Sequence, residues 1–162
     1  MRKVIFLLGC CLALTGCAHY TASQAAEGTV TEPPVLTVRA GEATVEANQG
    51  SLAWEYDWGK DSSSKENVTT SHPLERQEFI PTLTTAETAV TLSFSEECDS
   101  YTVRCWPDAY WDQPETEAEE AAVEGDTLKL LPGGHVYEVT AEWTSSPTYR
   151  GTVSYAFHVV AE

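Results

Sequence analysis

Hydrophobic and polar residues alternate with a period of two along most of the chain, and this pattern predicts β-strands rather than helices. In the first half, residues 35–39 and 44–47 form two alternating runs around a turn at residues 40–42, which predicts a hairpin. A third run carries large apolar side chains of one parity, namely Leu52, Trp54, Tyr56 and Trp58. We expect Trp54 to be buried, because the core of a β-sandwich takes alternate residues from each strand.

The second half of the chain repeats this alternation in five further runs. They are residues 90–94, 101–106, 127–131, 137–143 and 153–159. Trp143 lies on the apolar face of its run and is also expected in the core. Two polar stretches, residues 59–73 and 107–125, lack the alternation and are predicted to be long loops, the second with a helical turn at residues 117–122.

Residues 131–137 have the sequence Leu-Pro-Gly-Gly-His-Val-Tyr. They resemble the leucine, proline-glycine turn and tyrosine that enter strand F of fibronectin type III and immunoglobulin-like domains, with Tyr137 as the tyrosine corner. The resemblance implies that residues 101–106 form strand C and residues 151–160 form strand G. The expected fold is therefore all-β, an immunoglobulin-like/fibronectin III-like β-sandwich with an extra N-terminal hairpin, in one domain of residues 35–162.

The N-terminal segment has the pattern of an export signal. Arg2 and Lys3 precede an uncharged apolar run, and small residues follow it directly before Cys17. Leu-Thr-Gly-Cys at residues 14–17 resembles the lipobox of bacterial lipoproteins. That resemblance implies cleavage of a signal peptide, residues 1–16, and a covalent diacylglycerol on the cysteine.

This segment predicts a protein anchored by lipid to the extracytoplasmic face of the cell membrane. Residues 17–34 are small and polar, end in two prolines, and are expected to form a flexible tether. Two alternatives remain at this point: a plain secretory signal cut near Ala18 or Ala22, and a retained membrane span, for which the apolar run is short.

The chain as a whole is also similar to small lipoproteins of low-GC Gram-positive bacteria. The similarity lies in the run ending at Trp54 and in residues 71–74, 101–106, 137–143 and 151–157. It implies a location at the cell envelope and a fold, without implying any chemistry.

The charge of the chain excludes one class of partner. There are 25 acidic and 9 basic residues, a net charge of −16, which becomes −18 once Arg2 and Lys3 leave with the signal. Nucleic acids are bound through basic patches, and the sequence shows none. No nucleic acid partner is expected.

Two cysteines remain after removal of the signal and lipidation of Cys17, namely Cys98 and Cys105. An extended path between them would separate the sulfurs by roughly 20 Å, whereas a disulfide needs Cα atoms within about 7 Å. Free thiols are therefore predicted, and pairing would require Cys98 to fold back across the strand. No metal site is predicted, because neither cysteine has a CxxC partner or a nearby histidine pair.

Three aromatic residues next to the predicted loops are candidate ligand-binding residues, Trp58, Tyr110 and Trp111. Exposed aromatic rings stack on sugars or anchor peptides. The acidic residues between positions 108 and 124 lack the spacing of a calcium loop and are interpreted as a solvated surface.

Catalytic motifs of the common hydrolase classes are not found in the sequence, and no catalytic residue is predicted. A thiol–imidazole pair of Cys105 with His72, His135 or His158 is a weaker hypothesis than a core thiol, because Cys105 shares the parity of Tyr101 and Val103. The expected function is a non-catalytic module that binds an envelope protein or a glycan. The alternatives are a carbohydrate-binding module that uses the loop aromatics and an envelope hydrolase.

Overall fold

The computed structural model describes residues 27–59 and 62–162. The predicted signal peptide, Cys17 and the first part of the predicted tether lie outside these residues. Twelve strands make up most of the described chain, so the all-β prediction is confirmed. The strands are β1 (Leu36–Ala40), β2 (Ala43–Glu46), β3 (Asn48–Gly59), β4 (Ser62–Val68), β5 (Thr82–Thr85), β6 (Ala89–Phe94), β7 (Ser100–Pro107), β8 (Glu119–Glu120), β9 (Val123–Glu124), β10 (Thr127–Lys129), β11 (Gly133–Trp143) and β12 (Tyr149–Ala161).

The strands form two sheets that pack against each other. The smaller sheet has the order β2-β1-β6-β10-β9, and the larger has the order β4-β3-β12-β11-β7-β8. Neighbouring strands are antiparallel, except that β5 pairs in parallel with the last residues of β12. The predicted N-terminal hairpin is present as β1 and β2, joined through Gly41, whose φ of +57° suits glycine in this tight turn.

The core lies between the sheets and takes alternate residues from both of them. Trp54 and Trp143 are 1% and 2% exposed, as the alternation predicts, and their rings meet edge to face at 5.5 Å between centroids. Tyr155 is also buried, and its hydroxyl donates to the Pro34 carbonyl at 2.6 Å. Burial raises the pKa of Tyr155, so this hydroxyl keeps its proton and remains a donor.

Tyr137 closes the turn that leads into β11. Its side chain is fully buried and stacks on Phe157 at 5.4 Å. Its hydroxyl accepts a hydrogen bond from the backbone N–H of Leu131 at 3.2 Å, six residues earlier in the chain. This bond satisfies a backbone group and fixes the turn between the two residues.

Two predictions about the long loops are wrong. Residues 62–68 form strand β4, which pairs with β3 along the edge of the larger sheet. Both faces of β4 are mostly exposed, so its polar sequence shows no alternation. In the second loop a helical turn was predicted at residues 117–122, but β8 forms there and pairs with Arg104 and Cys105 of β7.

A second, smaller apolar cluster lies on the outer face of the larger sheet. Residues 72–80, which we call the strap, contain two 3-10 turns, Pro73–Glu75 and Gln77–Phe79. The strap presses Leu74 and Ile80 onto outward-facing residues of three neighbouring strands. The buried members of this satellite core are Leu74, Ile80, Trp106, Val136 and Ala156.

Residues 28–34 hydrogen-bond to the domain, although they fall within the predicted tether. The Val30 carbonyl accepts the indole N–H of Trp54 at 3.1 Å, and the Gly28 carbonyl accepts the hydroxyl of Thr148 at 3.2 Å. The Thr29 hydroxyl donates to the carbonyl of Asp57 at 3.3 Å. Residues 28–34 are therefore docked on the domain and do not belong to a flexible tether.

These contacts define two ends of the domain. We call the end with Gly28, Asp57 and Thr148 the proximal end, and the opposite end of β12, with His158, the distal end. Tyr149 begins β12 at the proximal end. Nine residues of extended strand separate it from His158, which corresponds to roughly 30 Å.

Candidate functional site

The three candidate ligand-binding aromatics do not lie together. Trp58 lies at the proximal end, half-buried, with its ring edge-on to Tyr56 at 5.3 Å and its indole N–H donating to the Ser64 hydroxyl. Tyr110 and Trp111 lie at the distal end, because the ring of Trp111 meets the ring of His158 edge-on, with 5.7 Å between the ring centroids. A single binding surface made of all three is therefore excluded by roughly 30 Å of strand.

The distal pair follows directly from the end of β7. Pro107 ends the strand and opens the 3-10 turn Asp108–Tyr110, since its fixed φ suits the entry to a turn. Tyr110 is 40% exposed at the tip of this turn. Trp111 is half-buried and packs against the satellite core, so the core below holds its ring in place.

The strap adds an exposed aromatic residue that sequence reasoning missed. Phe79 is 62% exposed, while its neighbour Ile80 is buried in the satellite core. The backbone N–H of Asp112 donates to the Leu74 carbonyl at 2.9 Å and so joins the loop after Tyr110 to the strap. We call Phe79, Tyr110 and Trp111 the distal aromatic patch.

A chain of polar groups fixes the base of this patch. His158 contacts the Asp108 carboxylate through Nε2 at 3.2 Å and the Thr82 hydroxyl through Nδ1 at 3.1 Å. The Asp108 carboxylate packs against the backbone of Gly134, where the Cβ of any larger residue would clash with it. These bonds link β5, β12 and the turn of Tyr110.

The arrangement of Thr82, His158 and Asp108 differs from a hydrolase triad. In such a triad the carboxylate binds Nδ1 and the nucleophile binds Nε2. In this protein the two nitrogens have exchanged partners, and Thr82 lies in a strand whose backbone pairs with that of His158. The three side chains therefore serve to hold together β5, β12 and the turn that carries Tyr110.

The thiol version of the hydrolase hypothesis does not fit the structure. Cys105 is 1% exposed in the core, and burial raises the pKa of its thiol. A buried, protonated thiol is a poor nucleophile. Cys98 is half-buried, burial also raises its pKa, and within the described residues it forms no disulfide with Cys105.

The strap also covers charged groups on the outer face of the larger sheet. The Arg76 side chain is directed inward, only 9% exposed, and donates through Nη1 to Asn48 at 2.9 Å. Burial lowers the pKa of Arg76, and the nearby Glu138 carboxylate opposes this effect. Glu138 is itself paired with Arg104 of β7. The inward guanidinium leaves the outer surface of the strap without this positive charge.

His72 caps the first turn of the strap. Its ring Nδ1 accepts a hydrogen bond from the backbone N–H of Leu74 at 3.2 Å. The backbone N–H of His72 donates to the Glu75 carboxylate at 3.1 Å. The ring meets Trp106 edge-on at 4.8 Å. Burial lowers the pKa of His72 below its usual value of 6.5, and this outweighs the attraction of Glu138 for the charged form.

We expect the strap to loosen as the pH falls below about 6.5. The unfolded chain binds more protons to this histidine than the folded chain in the window just below that value, so the stability that neutral His72 confers is lost on acidification. Protonation would also remove the Nδ1 acceptor of the Leu74 N–H. Hydrogen exchange of the Leu74 and Arg76 amides, corrected for intrinsic rates, measures the effect. The variant His72→Gln should reduce the pH dependence, and an unchanged dependence would contradict this assignment.

No protein-family model matches the chain, and neither a curated protein nor a solved structure matches it. Within residues 27–59 and 62–162, no helix has the length and hydropathy to cross a membrane. In the same residues, no group of three or more His, Cys, Asp or Glu side chains is arranged to hold a metal ion.

Proposed function

We propose that this chain is a lipid-anchored, extracytoplasmic immunoglobulin-like module that binds an envelope or extracellular partner through its distal aromatic patch. The observation that carries the proposal is the position of the two ends. The chain leading from Cys17 joins the domain at the proximal end, and exposed aromatic side chains lie at the other end.

The strand order supports the immunoglobulin-like part of the proposal. In the smaller sheet, the neighbouring strands β1-β6-β10-β9 correspond to strands A, B, E and D of an immunoglobulin domain. In the larger sheet, the neighbouring strands β7-β11-β12 correspond to C, F and G. The bond from the Leu131 N–H to the Tyr137 hydroxyl has the form of a tyrosine corner. Strands β2, β3, β4, β5 and β8 are then additions to these two sheets.

The geometry of the tether supports the orientation. With residues 28–34 docked, ten residues separate lipidated Cys17 from Gly28, and a flexible segment of that length spans about 16–19 Å on average. The turn before β7 carries Glu96, Glu97 and Asp99 at the proximal end. Anionic lipid headgroups repel these carboxylates, which favours a domain that stands away from the membrane.

The distal aromatic patch provides the contact surface. Phe79 and Tyr110 are exposed, and partly buried Trp111 is held by the satellite core. Aromatic side chains with rigid support are the usual anchors of protein interfaces, since they bury a large area at low entropic cost. A tethered domain has its distal end free to meet such a partner.

Site-specific photocrosslinking on intact cells tests this function. A p-benzoylphenylalanine residue is introduced in place of Phe79 or Tyr110 in the full chain, and in place of Trp58 as the control at the proximal end. We expect a discrete adduct from the two distal positions and none from position 58. Adducts of equal yield from all three positions, or from none, would contradict the proposal.

The chemistry of the adduct separates the partner classes. Sensitivity to protease identifies a protein partner, whereas sensitivity to a cell-wall hydrolase identifies a glycan. Tyr110 is the exposed ring on which a sugar could stack. If Tyr110→Ala removed glycan adducts while Phe79→Ala did not, a carbohydrate-binding module would be the better description.

A further inference from the structure

A groove with an acidic lining lies between the strap and the loop that follows Tyr110. A cavity of about 480 Å³ is lined by Glu75, Gln77 and Glu78 of the strap and by Asp112 of the facing loop. Phe79 follows Glu78 in the same 3-10 turn. The Glu75 and Glu78 carboxylates of the cavity and the exposed Phe79 side chain are therefore carried by the same short segment of the strap.

The carboxylates of Glu78 and Asp112 have no cation to balance them within the described part of the chain. The ion pairs found there involve other acidic residues. The strap does contain a cation, Arg76, but this side chain is buried and directed toward Asn48. Of these unbalanced residues, Glu78 directly precedes exposed Phe79 in the chain, and Asp112 lies two residues after exposed Tyr110.

We propose, on the basis of the function proposed above, that the occupant of this surface is a basic segment of a protein partner in which lysine or arginine residues alternate with apolar ones. The apolar side chains pack on Phe79 and Tyr110, and the cations pair with Glu78 and Asp112. Charge complementarity of this kind selects partners and speeds their association. Arginine also stacks favourably on tyrosine rings.

A peptide-binding experiment with the full-length protein in detergent micelles tests this partner chemistry. The probes are three fluorescein-labelled 12-residue peptides: one alternates lysine and leucine, one alternates glutamate and leucine, and one alternates lysine and serine. Fluorescence anisotropy is measured at low and high salt. We expect the lysine–leucine peptide to bind best, the lysine–serine peptide more weakly, the glutamate–leucine peptide not at all, and high salt to weaken binding because these charges are exposed.

Matched variants separate a specific surface from the general negative charge of the protein. The double variant Glu78→Gln, Asp112→Asn should weaken binding of the lysine–leucine peptide about fivefold, as expected for two exposed charge pairs. Phe79→Ser should weaken it about tenfold through loss of an apolar anchor. The control Glu96→Gln, Glu97→Gln removes the same charge at the proximal end and should leave binding unchanged.

The outcomes are distinct for the two proposals. If the control variant lost as much affinity as the distal one, or if no peptide bound, the basic-segment inference would be overturned. If the glutamate–leucine peptide bound equally well and still required Phe79, the inference would fail while the aromatic patch remained a binding site. If, in addition, crosslinking at positions 79 and 110 gave no adduct, the proposed function would fail as well.

Discussion

Replacing Trp54 with alanine is expected to lower the free energy of unfolding by about 4 kcal/mol, near the upper end of what one core substitution costs. Trp54 is 1% exposed, stacks on Tyr149 at 5.5 Å and meets Trp143 edge-on at the same distance. Its indole N–H also donates to the Val30 carbonyl. The variant thus loses a large buried ring and one of the bonds that hold residues 28–34. Urea denaturation of wild type and variant measures the change.

The same residue tests the docking of the tether. Trp54→Phe keeps most of the ring but removes the indole N–H, and should cost about 1 kcal/mol for the lost bond and the smaller ring. Limited proteolysis should then cut residues 28–34 faster in Trp54→Phe than in the wild type, even if the alanine variant fails to fold. Trp58→Ala, at a half-buried position, is the control and should cost much less than Trp54→Ala. Equal losses at positions 54 and 58, or unchanged cleavage in Trp54→Phe, would contradict this account.

Residues 28–34 were predicted to be part of a flexible tether but are docked on the domain. From composition alone, residues 17–34 form one flexible spacer, because nothing in their sequence marks contact with a sheet. Val30 accepts a hydrogen bond from Trp54 of β3, and Gly28 accepts one from Thr148, just before β12. Only the assembled fold brings these two distant parts of the chain together. If Cys17 carries the proposed lipid, the shorter spacer restricts how far the domain can move from the membrane and leaves its distal end more accessible than its proximal end.

The sequence was most informative where one face of a strand is buried. The parity of Leu52 and Trp54 correctly predicted the inner face of β3, since burial on one side imposes a period of two. The period carries no information where both faces are exposed, and for this reason β4 was missed. Strands β7, β11 and β12 also carry apolar residues of the opposite parity, namely Trp106, Val136 and Ala156.

Those outward-facing apolar residues were the sequence feature that could have predicted the satellite core. They lie on neighbouring strands, with Val136 directly opposite Trp106, and they would face water if nothing covered them. Their alignment depends on the register of pairs far apart in the chain, which the sequence does not specify. The strap that covers them has no period of its own, so the sequence could not assign Phe79 to a surface or join the loop after Tyr110 to the strap.

The satellite core gives the second large prediction, because the distal aromatic patch depends on it. Leu74→Ala should lower the free energy of unfolding by about 3 kcal/mol, since Leu74 is 0% exposed and its removal leaves a cavity under the strap. The strap makes no strand ladder with the sheet, so most of this loss should take the form of local opening. The amide of Arg76, which donates to the Pro73 carbonyl at 3.0 Å, and that of Asp112 should exchange roughly 100-fold faster. The amides of the β11–β12 pair should change little.

Local opening of the strap should also disable the proposed site. Phe79 and the groove residue Glu78 are held in position by Leu74 and Ile80 below them, so the crosslink yield at position 79 should fall in Leu74→Ala while the main core stays folded. Gln77→Ala is the matched control, since it changes an exposed residue of the same strap and should alter stability by less than about 0.5 kcal/mol. Faster exchange of equal size throughout β11 and β12 would show instead that the strap and the sandwich open as one unit. In that case Leu74 would support the whole fold, and the distal aromatic patch would have no separate stability.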